Sequence, residues 1–263
     1  MSLKFSANLS FMFQESSTIL ERYLSAKNCG FKGVEYAFPY CDPISTVVEA
    51  KSQAGVDQIL INVPQGDVDL GELGHAALPE KKSVFEENIK LAVEYAKALS
   101  CKRVHIMSGK VAQPTTLNMT TYVENLRYAS SLMEKEGIVA LIEPINNTTV
   151  PNYYMNSYKT ALDVVKAVNS PNLKIMMDIF HLQIIHGNLT KNIKEYLPYV
   201  GHIQIAQVPY RNEPNTLGEI NFPYIFSLLQ ELRYDDWVGL EYKPLTNTVD
   251  GLKWLEEYGV VLK

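Results

Sequence analysis

Eight short runs rich in apolar and β-branched residues recur along the chain. They are LKFSANL at 3–9, GVEYAF at 33–38, DQILINV at 57–63, KRVHIM at 102–107, IVALIEP at 138–144, LKIMMDI at 173–179, GHIQIAQ at 201–207 and WVGLEYK at 237–243. Several are apolar at successive positions, the pattern of parallel strands covered on both faces by helices. The segments between them switch to helical spacing. Pro79 suits a first helical turn, and Phe85, Ile89, Ala92, Ala96 and Leu99 then fall on one face. Tyr122, Leu126, Ala129 and Met133 form the same stripe, as do Ile225, Leu228, Leu229 and Leu232. Core packing accounts for these stripes, and no chemistry is assigned to them.

Eight strand–helix units in 263 residues leave about 33 residues per unit, close to the ~250-residue size of a (β/α)8 TIM barrel. A doubly wound open sheet is the alternative. It is favoured by a glycine-rich phosphate loop after the first strand, but FSANLSFMF contains no glycine. No linker or charge block divides the chain, so residues 1–263 read as one α/β barrel domain.

A barrel directs attention to the C-terminal ends of its strands, where barrel enzymes work. The fifth strand ends in Glu143, the sixth in Asp178, the seventh carries Gln204 and the eighth Glu241. Four consecutive strands thus bring an oxygen-bearing side chain to one rim. Three carboxylates in a low-dielectric mouth repel one another and raise each other's pKa, a conflict that a divalent cation removes. An all-oxygen shell with Gln204 as a neutral carbonyl suits Mg²⁺ or Mn²⁺ better than Zn²⁺. Any one of these carboxylates alone is better explained by an ion pair or a helix cap; the arrangement of four reverses that judgement.

Composition narrows the partners. The net charge is −5 and basic residues form no cluster, so the electrostatic footprint of a nucleic-acid binder is missing. Cys29, Cys41 and Cys101 are odd in number and form no CxxC, which reads as reduced thiols in a cytoplasmic protein. The N-terminal stretch is a poor signal peptide, and no apolar run reaches the ~18 residues of a membrane span. The expected partner is a small molecule; whether the chain forms a homo-oligomer is left open.

The stretches FSANLSFMF, GFKGVE, EPIN, MDIFHLQIIHGNLT, GHIQIAQVPYRNEP, GEINFPYIF and GLEYKP together resemble the hydroxypyruvate isomerases. That group lies within the xylose-isomerase-like barrel superfamily, which also holds ketose 3-epimerases and endonuclease IV. The resemblance implies that Glu143 and Glu241 are the proton-transferring pair, and that Glu143, Asp178, Gln204 and Glu241 surround the metal. It implies interconversion of hydroxypyruvate and tartronate semialdehyde through an enediolate. Sugar epimerases of the superfamily usually carry His where this chain has Gln204, which argues against the alternative, a ketose isomerase or 3-epimerase acting on a longer sugar. A DNA-repair endonuclease on the same fold is usually His-rich with a basic groove, unlike this chain of five scattered histidines.

With that resemblance, His181 is expected to turn back from the loop after the sixth strand and hydrogen-bond a substrate oxygen. Arg211, in VPYRNEP, has the planar fork that matches a substrate carboxylate. His105, Asn62 and Glu219 are further candidates for contact with the hydroxy-carbonyl acid. His202 faces the same way as Gln204 one layer deeper and reads as support or core. His75, in a glycine-rich loop that could serve as a lid, and His186, at the end of a short helical turn, receive no catalytic role.

Overall fold

All eight expected strands form, each within about three residues of its expected bounds. A computed structural model describes residues 3–262; Met1, Ser2 and Lys263, which the 1–263 reading includes, lie outside the described residues. The strands are β1 (Lys4–Asn8), β2 (Gly33–Glu35), β3 (Asp57–Asn62), β4 (Arg103–His105), β5 (Val139–Ile142), β6 (Leu173–Asp178), β7 (Val200–Ile205) and β8 (Trp237–Leu240). They pair in parallel and in sequence order, and β8 closes on β1. The fold is a (β/α)8 TIM barrel.

Helices α1 (Ile19–Asn28), α2 (Ile44–Ala54), α3 (Lys82–Ala98), α4 (Thr116–Glu134), α5 (Tyr158–Val168), α6 (Ile179–Ile185), α7 (Leu189–Tyr196) and α8 (Phe222–Glu231) follow the strands, with the short α9 (Thr248–Gly251) and α10 (Trp254–Glu257) last. Their ends are written locally. Thr18 and Glu21 form a capping box at α1, and Ser157 caps α5 by accepting from the Thr160 N–H. Gly55 and Asn169 stop α2 and α5 in the left-handed conformation. Pro79 opens a 3₁₀ turn that leads into α3. The apolar stripes expected for α3, α4 and α8 are buried, apart from half-buried Leu232.

Most of the core lies between strands and helices. Inside the barrel the apolar filling is small, a cluster of Leu60, Leu141 and Met176. The rest of the interior is polar, because side chains alternate in and out along each strand. On β1, Phe5 and Ala7 belong to the main apolar core, while the intervening Ser6 and Asn8 hydrogen-bond the buried Glu35. Register sets the polar layer: Asn8 pairs with Glu35, Asp178 with Gln204, and Gln204 with Gly239.

Gly239 shows how tightly that layer is filled. A Cβ there would lie 2.1 Å from the Glu35 Oε1, so β8 passes this carboxylate only as bare backbone. Gly239→Ala is expected to lower stability by at least ~3 kcal/mol, combining overpacking with disruption of a buried carboxylate's hydrogen bonds. Urea unfolding measures it, and an unchanged midpoint would contradict close packing at this layer.

Candidate active site

At the junction of β6 and α6 a single side chain serves two elements. Asp178 ends the strand and caps the helix, its Oδ1 accepting from the Phe180 N–H at 2.8 Å. No loop separates the two. His181 therefore sits in the first turn of α6, not in the loop expected from sequence, and its ring is carried back toward β5. Its Nε2 lies 3.6 Å from Asp178 Oδ2 and 3.8 Å from Glu143 Oε1. Glu143, Asp178 and His181 each offer one potential ligand atom, and these atoms lie within 4.8 Å of one another. All three residues are buried.

The His181 ring has a defined tautomer. The backbone N–H and the side-chain amide of Asn146 both donate to Nδ1, at 3.3 and 2.6 Å. The amide orientation follows from the Thr149 N–H, which donates to Asn146 Oδ1. Burial, reinforced by Arg211 and His105, holds the imidazole pKa well below its usual value. The neutral ring thus carries its proton on Nε2 and presents a donor to the site. Such a ring is better suited to hydrogen-bonding an oxygen than to ligating a metal.

Arg211 reaches the cluster from the β7–α8 loop. Its Nη2 donates to Asp178 Oδ2 at 3.1 Å and to Glu241 Oε2, and its Nε to the Glu241 carbonyl. Phe11 and Phe180 sandwich the guanidinium, each ring centroid 4.9 Å away. The Arg211 backbone is left-handed, with φ of 60°, a strain of roughly 1–3 kcal/mol that such sites retain when surrounding contacts enforce it. Here the enforcing contacts are the Gln207 carbonyl, which accepts from the Arg211 N–H, and the Lys243 N–H, which donates to the Arg211 carbonyl.

The carboxylates are electrostatically frustrated. Burial, then the charges of Glu241 and Asp178, push Glu143 well above the usual carboxylate range. Burial pushes Glu241 up to about 8, with Arg211 opposing the rise. Asp178 is raised by burial against the pull of Arg211 and the Phe180 N–H. Two acceptor oxygens nearby, Glu143 Oε1 and Gln204 Oε1, are buried without a hydrogen-bond partner. Crowded carboxylates with unsatisfied oxygens, one of them a neutral carbonyl, are a donor set that fits a hard divalent cation.

Three residues that sequence reasoning passed over, Glu35, Ser6 and Asn8, complete the layer beneath. Glu35, buried at the end of β2, accepts from Ser6 Oγ at 2.7 Å, Asn8 Nδ2 at 3.3 Å, and His202 Nε2 and Gln204 Nε2 at 2.8 Å each. Burial works to raise its pKa, yet His202 and the hydrogen bonds from His202, Gln204 and Ser6 outweigh it, and the net shift is downward. Asn8 also donates to Glu241 Oε1 at 3.3 Å, joining this layer to the carboxylates above. His202 thus lies one layer below the rim, against a carboxylate.

The remaining candidates separate. His105 lies 3.6 Å from Glu143 Oε2, and burial pushes its pKa down to about 3. Asn62 ends β3 opposite His105, half-buried. Glu219 is not brought to the cluster: it is exposed and accepts from Gln183 Nε2 at 3.2 Å. His75 pairs with Glu72 in its loop, and His186 ends α6. No helix among the described residues is long and apolar enough to cross a membrane.

Fold and site together define a barrel enzyme with buried acid–base groups gathered at its strand ends. The chain belongs to the family described as "Xylose isomerase-like TIM barrel", which residues 24–258 match. It is 40% identical to a hydroxypyruvate isomerase of Escherichia coli (strain K12), over 97% of this chain and 99% of that one. It is also 40% identical to a 2-oxo-tetronate isomerase of Pectobacterium atrosepticum, over 97% of each chain. A crystal structure from Brucella melitensis titled as an AP endonuclease, family 2, superposes with a TM-score of 0.94 at 40% identity, covering 97% of this chain and 99% of that chain.

Proposed function

We propose that this protein, read as one domain over residues 1–263, interconverts hydroxypyruvate and tartronate semialdehyde. Glu143 and Glu241 transfer the protons, and Glu143, Asp178, Gln204 and Glu241 hold a Mg²⁺ or Mn²⁺ ion. The observation that carries the reading is the convergence of three pKa-raised carboxylates, Glu143 and Asp178 buried and Glu241 half-buried, with two unpartnered acceptor oxygens at the strand ends. Similarity to a hydroxypyruvate isomerase supplies the substrate.

The reaction moves a carbonyl one carbon along a three-carbon acid. A carboxylate takes a proton from the carbon bearing the hydroxyl, and the electron pair forms an enediolate across the two carbons. A proton then arrives at the former carbonyl carbon while the hydroxyl proton passes from one oxygen to the other, and the carbonyl reappears next door. A divalent cation, when bound, supplies stabilisation of the negative charge developing on the two adjacent oxygens. Glu241 receives hydrogen bonds from Arg211 and Asn8, whereas Glu143 Oε1 receives none. That asymmetry makes Glu241 the more readily ionised member and Glu143 the better proton carrier. His181 Nε2–H donates to a substrate oxygen. The hydrogen bonds of Arg211 use Nε and Nη2, which leaves Nη1 for the substrate carboxylate. His105 and Asn62 border the same mouth.

A second substrate reading, a four-carbon 2-oxo acid, is favoured by the 2-oxo-tetronate isomerase relative, and the same residues would serve it. A nuclease reading is disfavoured by the net charge of −5, since holding a polyanionic nucleic-acid backbone is favoured by a basic surface. The test supplies Mn²⁺-loaded protein with hydroxypyruvate or 2-oxo-tetronate in D₂O and follows both by proton NMR. Tartronate semialdehyde and deuterium at the hydroxyl-bearing carbon are expected from hydroxypyruvate. A higher kcat/KM for 2-oxo-tetronate transfers the assignment to the longer acid, and neither turnover nor exchange with either acid sinks it.

A further inference from the structure

Every donor around Glu35 points at it, and one of them is the amide of Gln204. A carboxylate accepts hydrogen bonds and donates none. The end of the Gln204 amide that faces Glu35 is therefore its NH₂, at 2.8 Å. A carboxylate neighbour permits only this orientation of the amide. The carbonyl oxygen must then face the other way, and it is the buried oxygen that has no partner.

We propose that Glu35 is a positioning residue that fixes the Gln204 amide with its oxygen toward the metal site. Glutamine is the one expected ligand that could offer either end. Its oxygen binds a cation and its NH₂ repels one, so an undirected amide would present the wrong group part of the time. The network also holds Glu35 itself. Ser6 and His202 occupy Oε1, Asn8 and Gln204 occupy Oε2, and Gly239 leaves no room for the carboxylate to shift toward β8. The other amide on Glu35, that of Asn8, is held at its far end by the Ser10 N–H, which donates to Oδ1. Asn8 then donates to both Glu35 and Glu241. One buried carboxylate thereby orients the Gln204 amide, which turns its acceptor to the cation, and anchors the Asn8 amide, which turns a donor to Glu241.

This inference rests on the metal reading above, and the experiment separates the two. Mn²⁺ affinity is measured by titration calorimetry on metal-stripped native protein, Glu35→Ala, Glu35→Gln, Gln204→Ala and the Glu35→Ala/Gln204→Ala double variant. Glu35→Ala is expected to weaken Mn²⁺ binding roughly 10–100-fold, the range for groups that orient a ligand. In the Gln204→Ala background the same change should cost less than about 2-fold, because there is no amide left to orient. Glu35→Gln should retain affinity within about 3-fold: its oxygen can face Gln204 and Asn8, while its NH₂ donates to Ser6 Oγ and His202, both able to accept. Equal losses in Glu35→Ala and Glu35→Gln would assign the effect to charge and overturn the proposal, as would additive losses in the double variant or no loss in Glu35→Ala. If Glu35→Ala does not fold, Glu35→Leu fills the space without an acceptor and is read in the same way. Native protein that binds no Mn²⁺ overturns the metal reading together with this one; native binding indifferent to Glu35 overturns this one alone.

Discussion

Replacing Glu143 or Glu241 with glutamine is expected to lower kcat at least about 100-fold while the barrel stays folded. Glutamine keeps the size and an oxygen but cannot carry a proton. Positioned acid–base catalysis is worth ~10²–10⁴-fold, or roughly 3–5 kcal/mol of barrier. The fold should survive because burial, Glu241 and Asp178 all oppose ionisation of Glu143, so a neutral amide of the same shape suits the metal-free site at least as well as the carboxyl group. The metal-free Glu143→Gln protein should therefore unfold at the same urea concentration or higher. Exchange in D₂O divides the pair further. A variant lacking the group that serves the hydroxyl-bearing carbon of hydroxypyruvate loses wash-in at that carbon. A variant lacking its counterpart keeps the wash-in and fails to give product. Either variant retaining most of its activity removes that glutamate from the proton-transfer role.

Chelation is expected to abolish turnover, and Mn²⁺ or Mg²⁺ to restore it, with a pH dependence whose sign follows from the same carboxylates. In the metal-free protein burial raises Glu143 well above the usual carboxylate range and Glu241 to about 8. Below those values protons occupy the groups that must become ligands, so the cation displaces them. Apparent Mn²⁺ affinity should rise with pH, by about tenfold per unit for each proton released, and should flatten with respect to Glu241 above about 8. Calorimetry in buffers of different ionisation enthalpy counts the protons. An affinity that is flat between pH 6 and 8 would mean that these carboxylates are already ionised without the cation.

The strands were legible because each is an apolar run bounded by polar residues, and the helices because their stripes recur at 3.6-residue spacing. The bounds slipped where tertiary packing intervenes: β2 stops at Glu35, short of the apolar Tyr36–Phe38 that follows. Position at the C-terminal ends of four consecutive strands pointed to Glu143, Asp178, Gln204 and Glu241, since one polar side chain closing an apolar run stands out. Glu35 did not stand out, because a lone carboxylate inside the expected 33–38 strand reads as solvated until its four donors from β1 and β7 are seen. Asn8 and Ser6 carried a signal, their alternation with Phe5 and Ala7, but polar alternation more often marks a face turned to water. Asn146 was invisible for another reason: its contact with His181 requires α6 to begin without a loop, which depends on Asp178 acting as strand end and cap together.

That missing loop bears on how such a protein can be re-engineered. The β3–α3 and β7–α8 connections leave residues 63–78 and 206–221 around the mouth, ample material for insertions, deletions or randomised libraries. At β6–α6 there is nothing to lengthen: an inserted residue would separate the Asp178 carboxylate from the Phe180 N–H it caps and rotate His181 away from Glu143. Selection for longer or bulkier substrates should therefore collect its changes on the β3 and β7 sides of the rim, leaving the sequence from Met177 to His181 almost unaltered.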